Sequence, residues 1–179
     1  MPPIPPESAQ DGLYRQAVDA HARDIARFVA GYERNPARQH ELLQEVHLAL
    51  WRSLPSFRNQ CSLRTWVYRV AHNVGASHIQ RSVRAYDRDG VTLEEAQAHA
   101  DEGADITHIE RRLDLDKVMA LVHALAPLDR EVMLLYLEDL DAAAIGEIAG
   151  LSARNVATKV HRIKALLARR LNARDIIHE

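Results

Sequence analysis

A single cysteine, Cys61, stands in the chain, so no disulfide can close within it; a reducing compartment, the cytoplasm, is the natural expectation. Glycine and proline are scarce, 7 of each among 179 residues. With Ala, Leu and Arg abundant, that balance favours helix over strand. No alternating strand pattern and no internal repeat stands out. No apolar run reaches the roughly 18 residues needed to span a bilayer. The N-terminus lacks a basic stretch leading into an apolar core, so no secretory signal is expected. Ten histidines are present, but without HExxH or CxxC spacing, and no Gly-rich phosphate loop occurs. Scattered surface histidines, no metal, no cofactor and no catalytic residue are therefore expected. Cys61 has no obvious neighbouring base and reads as a loop residue.

What is present is a soluble globular composition, 47% apolar and 27% charged, on a length that suits one ordinary domain or two small ones. Net charge is only −2, but its distribution is uneven. Leu151 to Arg174 holds seven basic residues and no acid. Ala37 to Arg88 holds eight arginines against three acids, Glu41, Glu45 and Asp87. Between them, Asp89 to Asp116 carries nine acids against Arg111 and Arg112. Two nucleic-acid-facing modules on an acidic linker would have this order, and so would chance clustering on solvated helix faces; charge alone does not separate the two.

Apolar periodicity predicts an all-α chain. Met1 to Gln10, with Pro2, Pro3, Pro5 and Pro6, reads as a disordered tail. A first helix is expected over Leu13 to Tyr32, with Val18, Ala22, Ile25 and Val29 on one face, ended by Asn35-Pro36. A second runs from Glu41 to Leu54 and stops at Pro55. Ser62 can cap a third whose stripe is Leu63, Val67, Val70 and Val74. Tyr86 to Ile106 lacks a strong stripe and reads mainly as linker, with a short Thr92-Leu93-Glu94-Glu95 capping box. The pattern resumes near Ile109, with Leu115, Val118, Met119, Val122 and Leu125 in register, and breaks at Pro127. Asp129 is expected to cap a helix through Glu138, Asp141 a short helix to Gly150, and Ser152 a last helix to about Arg174. Domains are expected at about 11–88 and 109–174, joined by a linker.

Asp141 to Arg162 has the make-up of a helix-turn-helix. Ile145, Ile148 and Ala149 pack a short helix, and Gly150-Leu151-Ser152 makes a tight turn. The next helix puts Val156, Val160, Ile163, Leu167 and Leu171 on one face and Arg154, Asn155, Thr158, Lys159 and Arg162 on the other. Arg and Asn near a helix start supply the donors and acceptors that reach base edges in a major groove. Lys and Arg further along can reach phosphates. An ordinary helical hairpin with a solvated basic face is the plainer reading; turn, stripe and basic face together favour DNA.

In the first half, Arg64, Trp66, Tyr68, Arg69, His72 and Asn73 mix cations, aromatics and an amide on the third helix. Rings beside arginines can stack unpaired bases. The polar loop before it, Asn59-Gln60-Cys61-Ser62, could line a pocket for an extruded base. By composition, Trp66 and Tyr68 are equally suited to being packed core or domain-surface residues.

The segment LLQEVHLALWRSLPSFRNQCSLRTWVYRVAHNVGASHIQR resembles region 2 of extracytoplasmic-function sigma factors. The segment LAPLDREVMLLYLEDLDAAAIGEIAGLSARNVATKVHRIKALLARRL resembles their region 4. Order and separation match too, over nearly the whole chain after the tail. The resemblance implies two helical domains on a flexible linker: one binds the clamp helices of core RNA polymerase and melts the −10 promoter element, the other binds the −35 element. By matching positions it places Leu42, Leu43, Gln44, Glu45, Leu48 and Trp51 on the polymerase-binding helix. Asn59, Gln60 and Ser62 fall in the loop for a flipped −10 base, and Arg64, Trp66, Arg69, His72 and Asn73 on the −10 helix. Arg154, Asn155, Thr158, Lys159, His161 and Arg162 fall on the −35 helix. The partners implied are core RNA polymerase, promoter DNA and an anti-sigma factor. The chain departs from the pattern at Arg38-Gln39-His40-Glu41, where the family has an acidic cluster, at Ala142, Ala143 and Ala144, which replace an aromatic and two acids, and at Ala157. A stand-alone helix-turn-helix regulator and a protein-binding helical adaptor are the other readings. Transcription from a specific start site, assayed after adding the chain to core polymerase, separates the three.

Overall fold

A computed structural model describes residues 9–89 and 117–175, and among these the regular structure is all helical. The helices are α1 (Ala9–Ala30), α2 (Pro36–Ser53), α3 (Leu63–Asp89), α4 (117–123 in its described part), α5 (Pro127–Leu137), α6 (Ala142–Ala149) and α7 (Ala153–Asp175). A 3₁₀ turn, Leu54–Ser56, follows α2. Among the described residues no helix is long and apolar enough to cross a membrane. Two compact units form, and the division falls within α3, after His78.

In the first unit, α1 begins at Ala9, so Ala9 and Gln10, expected in the tail, are helical; residues 1–8 lie outside the described part. Asn35-Pro36 starts a helix and does not end one. Asn35 is the N-cap of α2, its side-chain oxygen accepting from the amides of Ala37 at 3.0 Å and Arg38 at 3.2 Å. Pro36 sits at the first helical position, where a missing N–H is no loss. The helix thus starts five residues before the expected Glu41. Ser62 caps α3 as expected, accepting from the Thr65 amide at 3.0 Å.

The core of this unit is aromatic at its centre. Phe28 meets Tyr32 and Tyr68 edge-on, with ring centroids 5.2 Å and 5.3 Å apart, the geometry that ring quadrupoles favour. Ile25 and Val29 from α1, Leu42, Val46 and Leu50 from α2, and Val67 and Ala71 from α3 close around them. The buried face of α3 is therefore Val67, Tyr68, Ala71, His72 and Gly75, while Leu63, Val70 and Val74 are only half-buried. The true stripe is rotated from the expected one because a tyrosine and a histidine take core places.

In the second unit, Val122 and Leu125 are buried as their periodicity predicts; residues 86–89, expected to open the linker, continue α3 instead, and the rest of the linker, its capping box and Leu115 fall outside the described residues. Val132 to Leu135 of α5, Ile145 and Ile148 of α6, and Val156, Val160, Ile163 and Leu167 of α7 form the core. Each such side chain contributes about 1.5–3 kcal/mol by leaving water. The expected N-cap of α5 is corrected: Ala126 occupies that position, with no side-chain cap and Pro127 behind it. Asp129 lies inside the first turn, and its carboxylate turns to α7.

Candidate nucleic-acid and polymerase interfaces

The turn between α6 and α7 is built from four local devices. Asp141 accepts from the Ala144 amide at 2.8 Å and starts α6. Gly150 ends it in the left-handed conformation, φ 70°, which costs a residue without Cβ little. The Leu151 amide donates back to the Gly146 carbonyl at 3.0 Å. Ser152 then accepts from the Asn155 amide at 3.3 Å and starts α7. Gly146 is required for a different reason: a Cβ there would stand 2.5 Å from the Leu151 carbonyl oxygen. Only glycine lets the turn fold so closely onto α6.

With Val156, Val160 and Ile163 buried, the opposite face of α7 is fixed outward. Arg154, Asn155, Thr158, His161 and Arg162 are exposed at spacings of one, three and four residues, so they share one helix face. Thr158 donates its hydroxyl to the Arg154 carbonyl at 3.0 Å, within the helix. Two of the expected DNA contacts are engaged elsewhere. Lys159 Nζ reaches one oxygen of Asp129 at 2.7 Å, and Arg162 Nη2 reaches the other at 2.6 Å. Burial pushes the Asp129 carboxyl up, but Lys159 and Arg162 outweigh it and hold the group below the usual carboxylate range. This bridge crosses 30 and 33 residues of sequence, and no local pattern could have revealed it. The same unit has an open apolar groove of about 580 Å³ between Tyr136, Leu140, Ile145, Val156 and Val160, with Lys164 donating to the Tyr136 hydroxyl at 3.2 Å on its rim.

In the first unit, the loop before α3 is a compact polar turn. Asn59 has φ 56°, a conformation that asparagine tolerates better than most residues. The Arg58 amide donates to Gln60 Oε1 at 2.6 Å, and the Arg58 guanidinium to the Pro55 carbonyl at 2.6 Å. Asn59, Gln60 and Ser62 are exposed. From the loop onward, Ser62, Trp66, Arg69 and Asn73 follow one side of α3. Trp66 is half-buried, its indole N–H donating to Ser53 Oγ at 3.0 Å and its ring tilted against Phe57 at 5.4 Å. Arg64 lies on the other side, over the Tyr68 ring at 5.7 Å.

His72 must be corrected. It is 7% exposed, and its Nδ1 pairs with the Tyr32 hydroxyl at 3.1 Å inside the unit. It supports the core and presents nothing to a base. Tyr68, one of the two aromatics left open by composition, is core as well, with no exposed surface.

On α2, Gln44, Glu45, Leu48 and Trp51 share an exposed face, and Leu43 is half-buried beside them. Leu48 and Trp51 are large apolar side chains left 48% and 39% exposed, which isolates them as candidate contacts. Leu42 is the second correction: it is 1% exposed and belongs to the core, one turn before Val46. The Trp51 indole N–H donates to Asp11 at 2.9 Å, and its carbonyl accepts from the Gln10 amide at 2.7 Å. Those contacts come from residues that the sequence placed in or beside the tail. Gln44 pairs with His40 Nε2 at 3.0 Å.

The second unit is thus a helix-turn-helix with an outward polar row on its second helix, and the first is a helical unit that exposes an apolar face. Comparison with known proteins is specific. Residues 17–85 match sigma-70 region 2, and residues 115–167 match sigma-70 region 4. The RNA polymerase sigma-H factor of Pseudomonas aeruginosa is 33% identical over 66% of this chain, and the match spans 59% of that protein. The ECF RNA polymerase sigma factor SigC of Mycobacterium tuberculosis is 31% identical over 84% of this chain and 80% of its own length. In fold, the sigma factor RpoE of Bartonella quintana, solved in complex with the anti-sigma factor NepR, matches with a TM-score of 0.74 at 19% identity, covering 89% of this chain and 96% of that one. The chain belongs to the sigma-70 family of RNA polymerase sigma factors, in the extracytoplasmic-function group.

Proposed function

We propose that this chain is the dissociable promoter-recognition subunit of a bacterial RNA polymerase and that the chemistry of RNA synthesis belongs to the polymerase. The observation that carries the reading is the outward row on α7, Arg154, Asn155, Thr158 and His161, set behind a turn capped at both ends. Such a row at a helix start can enter a major groove and read the −35 element. The first half, about residues 11–88, docks on core polymerase through Leu43, Gln44, Glu45, Leu48 and Trp51. It acts on the −10 element through Asn59, Gln60, Ser62, Arg64, Trp66, Arg69 and Asn73. Residues 89–108 act as a linker and 109–179 as the second domain, and the assembly works in the cytoplasm. An anti-sigma factor that covers the exposed Leu48–Trp51 face would hold the chain inactive, since a face needed for polymerase is also a handle for an inhibitor.

Transcription from a defined start site, assayed with core polymerase and a promoter from the native genome, tests the proposal. Start-site-specific transcripts that depend on the added chain are expected. A chain that alters transcription only when another sigma factor is supplied would be a stand-alone regulator instead.

A further inference from the structure

The −35 helix carries two cations that its own fold engages. Asp129, in the first turn of α5, meets Lys159 with one carboxylate oxygen and Arg162 with the other. Asp129 and Lys159 are largely enclosed, with 18% and 24% of their side chains exposed, while Arg162 is 64% exposed. Both cations lie one to two turns beyond Arg154, along the part of α7 that would run beside the DNA backbone when the helix start is in the groove.

From this geometry we infer that Asp129 is a positioning residue that withholds Lys159 and Arg162 from phosphates, lowering the sequence-independent DNA affinity of the second unit. The inference rests on the reading of α7 as the DNA-reading helix. A cation that must leave a carboxylate to meet a phosphate exchanges one ion pair for another and gains little. It also releases fewer counterions, the main source of non-specific affinity. Arg154, Asn155 and His161, at the start of the helix, stay outside this bridge. A helix of this kind holds DNA poorly alone and acts when a second attachment, here the polymerase, raises its local concentration at the promoter.

The test uses the full chain and has two arms. In the first, the wild-type chain with core polymerase selects from duplexes randomised at the upstream element. An enriched sequence is expected; none would overturn the reading of α7 and the inference with it. In the second, binding of the chain alone to a random-sequence duplex is measured against salt. Asp129→Asn should bind more tightly and steepen the log–log salt slope by about 0.9 for each cation released, an affinity gain of roughly ten- to sixtyfold near 0.1 M salt. An unchanged slope or weaker binding would overturn the inference while leaving the first arm intact. The paired variant Lys159→Gln/Arg162→Gln approaches from the other side and does not depend on Asp129→Asn folding. Withheld cations contribute nothing to the wild-type slope, so it should not change. A slope shallower by about one to two would show that they already meet phosphate. Adding Asp129→Asn to the paired variant should then produce no steepening. Steepening there would assign the effect to repulsion of phosphate by Asp129 itself and overturn the mechanism.

Discussion

The ring of Tyr32 lies directly against Gly75: a Cβ on that glycine would stand 2.7 Å from Tyr32 Cδ1 and 2.8 Å from Cγ. The ring cannot swing away cheaply, because Phe28 packs on it and its hydroxyl is bonded to His72. Gly75→Ala should therefore destabilise the first unit by about 1–2 kcal/mol, the overpacking cost less the helix propensity that alanine regains. Urea unfolding followed by tryptophan fluorescence measures this unit alone, since both tryptophans, Trp51 and Trp66, lie within it.

The same core makes the first unit sensitive to acid. Burial pushes His72 below its ordinary value of 6.5, and burial lowers His47 as well. The unfolded chain then binds protons that the folded unit refuses. The stability contributed by neutral histidine is complete above about 6.5 and is lost as pH falls toward the depressed folded values. Glu33 acts lower: burial raises its carboxyl, but the Asn35 amide and His78 outweigh this, so its loss begins only below its ordinary 4.5. Urea midpoints should thus fall as pH drops from 6.5 to 4.5, and His72→Asn should retain only the His47 dependence. A midpoint flat across that range in the wild type would contradict the burial argument.

How far these features can be read from sequence depends on their range. Caps are local, and Ser62, Asp141, Gly150 and Ser152 sit where their chemistry places them. Proline misled at two helix starts. Pro36 and Pro127 each occupy the first helical position, so Asn35 became an N-cap and Asp129 was displaced from one. Composition groups His72 with Arg64, Arg69 and Asn73, and the resemblance alone sets Leu42 among the outward contacts. The burial of His72 depends on Tyr32, a partner that only the packed unit brings to it, whereas Leu42 is buried with Val46, four residues along the same helix. The Asp129 bridge had no sequence signal.

On α7, position should matter more than charge. Arg154→Ala should cost about 1–3 kcal/mol of promoter affinity if its guanidinium makes a bidentate base contact. Arg169→Ala, equally exposed but four turns along, should cost little. Binding of the holoenzyme to promoter variants measures both, and equal losses would reduce α7 to a generic basic surface.

Asn59 allows the backbone and the amide to be separated. Its left-handed conformation favours glycine, so Asn59→Gly should keep the turn, whereas Asn59→Ala should strain it by about 1–2 kcal/mol. If the amide holds a flipped base, both variants lose promoter opening, and both recover on a pre-melted template. Permanganate footprinting of the −10 region reads the outcome; normal opening by Asn59→Gly would remove the side chain from the mechanism.

The first turn of α2 carries no acid, and Arg38 and His40 are exposed there. Polymerase binding should accordingly depend on salt less steeply than in relatives with the acidic cluster. Arg38→Glu/His40→Glu should tighten binding at low salt and raise helix stability by a few tenths of a kcal/mol through the helix dipole, to about 1 kcal/mol. A steep salt loss in the wild type would contradict the first expectation.

The contact between Gly146 and the Leu151 carbonyl has a practical meaning for anyone rewriting promoter choice. The hinge of the reading head is main chain on one side and a missing side chain on the other, so its angle is indifferent to what the outward residues of α7 are. Residues 154, 155, 158 and 161 can be randomised as a cassette on one unchanging frame, so long as the codon for Gly146 is left alone, and under the proposed reading such a library samples new promoter alphabets.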